Sequence, residues 1–140
     1  MATTAQYATS PTIDVSQVTT ANTARDGSGT TVEIAAGPTT AAGSGIGKRI
    51  LGVNIKATGT TTAGAIRFFI SVDGGTTKRL IEEVPVVAVT PSATLSAFQT
   101  NCANLVGLIL PGQVSSNTQK LYASTEKSET FNVVVYGATY

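Results

Sequence analysis

The sequence predicts an all-β protein, an antiparallel β-sandwich or jelly-roll of about eight strands. Three observations carry this. Short segments alternate apolar and polar residues with period two and recur at near-regular spacing. Stretches rich in Gly, Pro, Asn and Asp separate them. Only 12% of the residues are charged, against about 25% in ordinary domains, so Thr, Ser, Asn and Gly must supply the polar surface, and such a composition suits pleated strands better than helices. The length of 140 residues fits one domain that buries roughly two-thirds of its extended surface.

From Met1 to about Gly29 the chain is polar and Thr-rich, with Ile13, Val15 and Val18 as its few aliphatic anchors. Ile13 and Val15 alternate with Asp14 and Ser16, a short strand signal. We expect an extended N-terminal arm over residues 1–29, with a frayed tail as the other possibility, and a sandwich domain over residues 30–140.

Thr30 to Ala36 alternates Val32 and Ile34 with Thr31 and Glu33, and the Gly-rich "GPTTAAGSGIG" follows as a loop. In "RILGVNIKAT", period two places Leu51, Val53, Ile55 and Ala57 on one face and Ile50, Gly52, Asn54 and Lys56 on the other. Ala65 to Val72 groups Ile66, Phe68, Ile70 and Val72 against Arg67, Phe69 and Ser71. Lys78 to Pro85 forms the next strand, with Val86 onward as a possible extension. Pro85 has no N–H to donate, which puts it at an edge or a bulge. Thr94 to Thr100 is a further candidate, although Leu95, Phe98, Cys102 and Leu105 fall at helical spacing; their Ser, Thr and Asn neighbours favour a strand or an irregular connection. "LVGLILPG" ends in the proline-then-glycine order of a type II turn. "KLYAST" and "FNVVVYG" complete the set.

Between Ile66 and Ile81, Asp73-Gly74-Gly75 joins two strands of matching length. Glycines supply the positive φ angles of a hairpin turn. An anion-binding loop would instead open a helix. "AAGSGIGKR" departs from the Walker pattern at both ends and leads into a strand, so it reads as a plain loop.

Catalytic chemistry is hard to place on this chain. Histidine is absent, which removes the commonest general base and metal ligand. Glu82 and Glu83 are adjacent, so a strand turns them to opposite faces and spoils them as an acid/base pair. Cys102 is the only cysteine; it rules out an internal disulfide and reads as a small core or interface residue. We expect no catalytic set, no cofactor and no metal site; a hydrolase of unusual constitution is the least favoured reading. Nine basic and eight acidic residues leave a net charge of +1 without a basic run, and Lys48-Arg49 and Lys78-Arg79 read as solvated pairs, so no nucleic-acid partner is expected. The N-terminus lacks the basic and apolar regions of a signal peptide, and no apolar run approaches the roughly 20 residues of a membrane helix. Synthesis in a reducing cytoplasm and release within a particle would fit.

Four stretches, "TTANTARDGSGT" from Thr19, "RILGVNIKATGTTTAGAIRFFI" from Arg49, "EVPVVAVTPSAT" from Glu83 and "LYASTEKSETFNVVVYGATY" from Leu121, give the chain a texture and order that resemble small structural proteins of tailed bacteriophages. The resemblance implies a β-sandwich or jelly-roll subunit, often trimeric, that decorates and cements an icosahedral capsid shell, with the major capsid protein as partner and the virion surface as location. A phage tail, neck or baseplate accessory or receptor-binding protein is the alternative. Extended arms dock through backbone pairing and alternate side chains, so Tyr7, Pro11, Ile13, Val15 and Val18 are the first interface candidates. Phe131, Tyr136 and Tyr140 of the closing strand are the second set. On this reading, deleting the residues before Thr19 abolishes capsid binding and leaves the fold intact.

Overall fold

A computed structural model describes residues 10–42 and 45–140. They form nine strands: β1 (Ser10–Val18), β2 (Val32–Ala36), β3 (Gly47–Ala57), β4 (Gly64–Ser71), β5 (Arg79–Val86), β6 (Gln99–Asn101), β7 (Ile109–Pro111), β8 (Lys120–Thr125) and β9 (Phe131–Thr139). No α-helix occurs among the described residues, and a 3-10 turn, Ala103–Leu105, follows β6.

The strands make two antiparallel sheets. Sheet I runs β1-β9-β3-β6, with β7 also paired to β3; sheet II runs β2-β8-β4-β5. β6 meets β3 at Asn54–Lys56 and β7 meets it at Gly47–Arg49, so the two short strands share one strand position. With that position counted once, the chain makes the eight-strand jelly-roll expected from the sequence. Ile50, Ile55, Val133 and Val135 of sheet I face Ile34, Ile66, Phe68 and Leu121 of sheet II across one core. Phe98 meets Phe131 edge to face there, with ring centroids 6.3 Å apart.

The phase of β3 differs from strict alternation. The register with β9 slips between Ile50 and Gly52, so Leu51 is an extra residue that turns outward while Ile50, Val53, Ile55 and Ala57 all point inward. A bulge inserts one residue against the partner strand and reverses the faces before it. Ile50, grouped by strict alternation with Gly52, Asn54 and Lys56, is therefore core, and Leu51 is not.

The expected boundary at residue 29 is corrected as well. Ser10–Val18 is no arm: it pairs with β9 along its full length, from Ser10 against Thr139 to Val18 against Phe131. Both Val18 and Phe131 are buried in the core rather than offered to a partner. Removing everything before Thr19 would thus strip the edge strand β1 from sheet I and should destabilise the fold. The following segment crosses sheet II on its outer side. Asn22 N–H donates to Thr125 O (2.8 Å), the Asn22 amide donates to Ser28 O and Thr30 O, and Arg25 ion-pairs with Glu83. Tyr7 lies outside the described residues.

Turn chemistry is only partly as expected. Asp73 lies in the β4–β5 connection, with Gly74 and Gly75 at φ +77° and +103°. Its carboxylate accepts from Thr77 N–H (2.8 Å) and, secondly, from Ser71 Oγ (2.7 Å), which holds its pKa down at about 2. Asp73 thus turns the backbone. Pro111 instead closes β7 opposite Gly47, and Gly112 is not among the positive-φ residues. The two-residue turn is at Ser115-Ser116, both left-handed, between the mutually bonded Val114 and Asn117. Pro85 sits on β5, an edge strand, as its missing N–H requires.

Candidate functional site

Alternation along the strands determines what each sheet shows to solvent. On sheet I the outward residues form rows across β1, β9 and β3. Pro11, Ala138 and Arg49 make the first, and Ile13, Tyr136 and Gly52 the second; Val15, Val134 and Asn54 follow, then Gln17, Asn132 and Lys56. The first three rows are mostly apolar. The last is a polar ladder in which the Gln17 amide donates to Asn132 Oδ1 (3.1 Å) and Lys56 Nζ donates to Gln99 Oε1 (3.0 Å).

Among the described residues, six of the eleven large hydrophobic side chains left exposed belong to this face or its margin: Ile13 (61% exposed), Val15 (65%), Tyr136 (47%), Leu51, Val106 and Ile109. Scattered single exposures need no explanation, whereas a contiguous set marks an interaction surface. Leu51, Tyr136 and Val106 wall a depression of about 320 Å³, with Gly52 among its lining residues and Asn54 and Asn101 at one side, joined by an amide hydrogen bond of 2.7 Å. A Cβ on Gly52 would meet only Tyr136 Cδ2, at 3.5 Å. Tyr140 lies over Gly47, where a Cβ would come within 2.8 Å of its hydroxyl, and extends the face beside Ile109.

Of the residues expected at an interface, Pro11, Ile13, Val15, Tyr136 and Tyr140 are thus brought to one face, and Ile13 and Tyr136 are register partners. Arg49, Leu51, Val106 and Ile109 join them without having been expected. Only the bulge brings Leu51 out, and its one sequence signal is the isolated Gly52 within the strand.

The outer side of sheet II is arranged differently. Arg67 is 1% exposed, and its guanidinium donates to Glu83 Oε1 (2.7 Å), Glu126 Oε2 (2.8 Å) and Asn22 O (3.3 Å). Hydrogen bonds from Arg67, and secondly from Arg25, hold the Glu83 carboxyl below its ordinary pKa. These contacts clamp the crossing segment onto the sheet, so their role is structural. Glu82 turns away from Glu83, as alternation requires, and accepts from the Asn104 amide. Lys48 and Lys78, expected to be solvated, are both engaged: Lys48 is buried and paired with Asp14, and Lys78 sits 4.9 Å over the Tyr122 ring.

Among the described residues no group of three or more His, Cys, Asp or Glu side chains is placed to hold a metal ion, and no helix is long and apolar enough to cross a membrane. Comparison with known protein families, with curated proteins and with solved structures gives no match to this chain.

Proposed function

We propose that this chain is a non-enzymatic structural subunit of a bacteriophage particle, a decoration or cement protein that binds the outer surface of an icosahedral shell as an oligomer and stabilises it. The observation that carries the reading is the apolar outer face of sheet I, which the described residues leave exposed. The jelly-roll is a fold that viral capsid proteins share with lectins; this is an analogy of fold, since function resides in sites. The resemblance of the four stretches to phage structural proteins points the same way. The partners would be the major capsid protein and further copies of the chain, with a homotrimer as the expected assembly and no nucleic acid or membrane involved.

A tail, neck or baseplate accessory that contacts host polysaccharide is the second reading. The exposed Tyr136 ring beside the Asn54 and Asn101 amides favours it, because sugars bind aromatic faces flanked by hydrogen-bonding groups. The copy number of the chain in purified particles, measured against the major shell protein by quantitative mass spectrometry, tests both. A number comparable to that of the shell protein supports decoration, a handful of copies moves the chain to the tail or neck, and its absence removes the structural reading.

A further inference from the structure

We propose that the outer face of sheet I docks a protein surface of definite chemistry, one that offers an aliphatic side chain to the depression beside Tyr136 and a carboxylate to Arg49. The proposal rests on the reading of the chain as a shell-bound subunit and specifies the surface it binds.

Charge carries the argument. Arg49 projects from the row next to the depression, and no ion pair or side-chain hydrogen bond engages it among the described residues. The chain has eight Asp and Glu side chains, and each one already has a partner elsewhere in the fold. None occupies an outward position on the strands of this face. Among the described residues the outward side chains of this face are therefore apolar, uncharged polar or cationic, with no acidic side chain among them. A second copy laid face to face would bring two cationic surfaces together with no acidic side chain on either, and juxtaposed like charges oppose association. A foreign surface carrying a carboxylate meets both requirements.

Shape agrees with charge. Because Gly52 has no side chain, Leu51, Val106 and Tyr136 enclose space for an inserted aliphatic group. A buried anchor in such a pocket, with a charged contact at its margin, is the usual form of an interface hot spot.

Two substitutions separate this arrangement from a merely structural role. Gly52→Val fills the depression, and its Cβ meets nothing closer than ordinary van der Waals contact. Arg49→Glu reverses an exposed charge. Each protein, with Ile81→Ser on the other sheet as control, is titrated onto shells assembled from the major shell protein alone, and bound copies per shell are counted. Urea unfolding and sedimentation of each free protein accompany the titration. Gly52→Val and Arg49→Glu should each weaken binding by about tenfold or more, with Ile81→Ser binding as wild type and all unfolding midpoints close together. Wild-type affinity in both variants overturns the proposal and leaves the shell-bound reading standing. If wild type itself fails to bind shells, that reading falls and this one with it. A wild-type oligomer that either variant dissociates would assign the face to contacts between copies, against the proposal.

Discussion

Lys48 on β3 and Asp14 on β1 form an ion pair across β9, a strand to which neither belongs. The pairing depends on Gly137 between them: a Cβ there would lie 3.1 Å from Lys48 Cε, 3.1 Å from Thr12 Oγ1 and 3.0 Å from Arg49 O. Lys48 has a side chain only 6% exposed, whereas Asp14 retains 38%. The two halves of the pair should then respond unequally to substitution. Asp14→Ala strands a buried ammonium and should cost about 2–3 kcal/mol, while Lys48→Met leaves only a partly solvated carboxylate and should cost about 1 kcal/mol or less. Gly137→Ala should cost about 1–3 kcal/mol through crowding. Urea unfolding at neutral pH measures all three, and equal losses for Asp14→Ala and Lys48→Met would contradict the asymmetry.

Acid should loosen the clamp on sheet II. The pKa of Glu83 is depressed in the folded state, so its contribution is complete above the unfolded value of about 4.3 and is lost as the pH falls through the folded value. Asp73, held down at about 2, extends the loss to lower pH. The urea midpoint should fall progressively from about pH 5 downward. Glu83→Gln should lower the midpoint at pH 7 and flatten the upper part of the acid decline, and Asp73→Asn should flatten the lower part.

The turn at Ser115-Ser116 places two L-residues at φ 51° and 65°, a conformation that Asn and Gly adopt at less cost. Replacing the pair with Asn-Gly should stabilise the protein by about 1 kcal/mol. A rise in melting temperature of a few degrees is the expected reading; an unchanged or lower value would mean that the serines relieve the strain in another way.

Cys102 is buried, and desolvation, with a smaller contribution from Glu82, raises its thiol pKa. Thiolate is the reactive form. Labelling by a disulfide reagent near neutral pH should therefore be slow in the native protein and fast in denaturant, with the native rate following global unfolding. Rapid native labelling would show that the 3-10 turn beside it opens locally.

Strand existence and phase were legible wherever alternation ran unbroken, as in Phe131, Val133 and Val135 or in Ile66 and Phe68, because a sheet with one buried face imposes period two on its side chains. Leu51 shows where such reading stops: in "RILGVNIK" only the isolated Gly52 hints at a bulge, and which residue it re-phases is decided by pairing with β9. Ser10–Val18 posed a related difficulty. Its Ile13 and Val15 are apolar yet exposed, so the segment signals a strand without signalling which strand it joins. Interface candidates chosen for being aliphatic or aromatic fell on both sides of the sheet. Val18 and Phe131 face inward, while Ile13, Val15 and Tyr136 face out.

The jelly-roll order places β9 between β1 and β3. On the ribosome, the first strand of this fold is made long before the strand it needs, and the last one made must enter the middle of a sheet rather than its edge. Sheet I therefore stays divided until Phe131–Thr139 has emerged, and its closure depends on contacts between the two ends of the chain, the slow class of folding event. A chain that stalls or is cut just before Phe131 would carry β1 and β3 with an empty lane between them, and proteolytic quality control would meet it in that form.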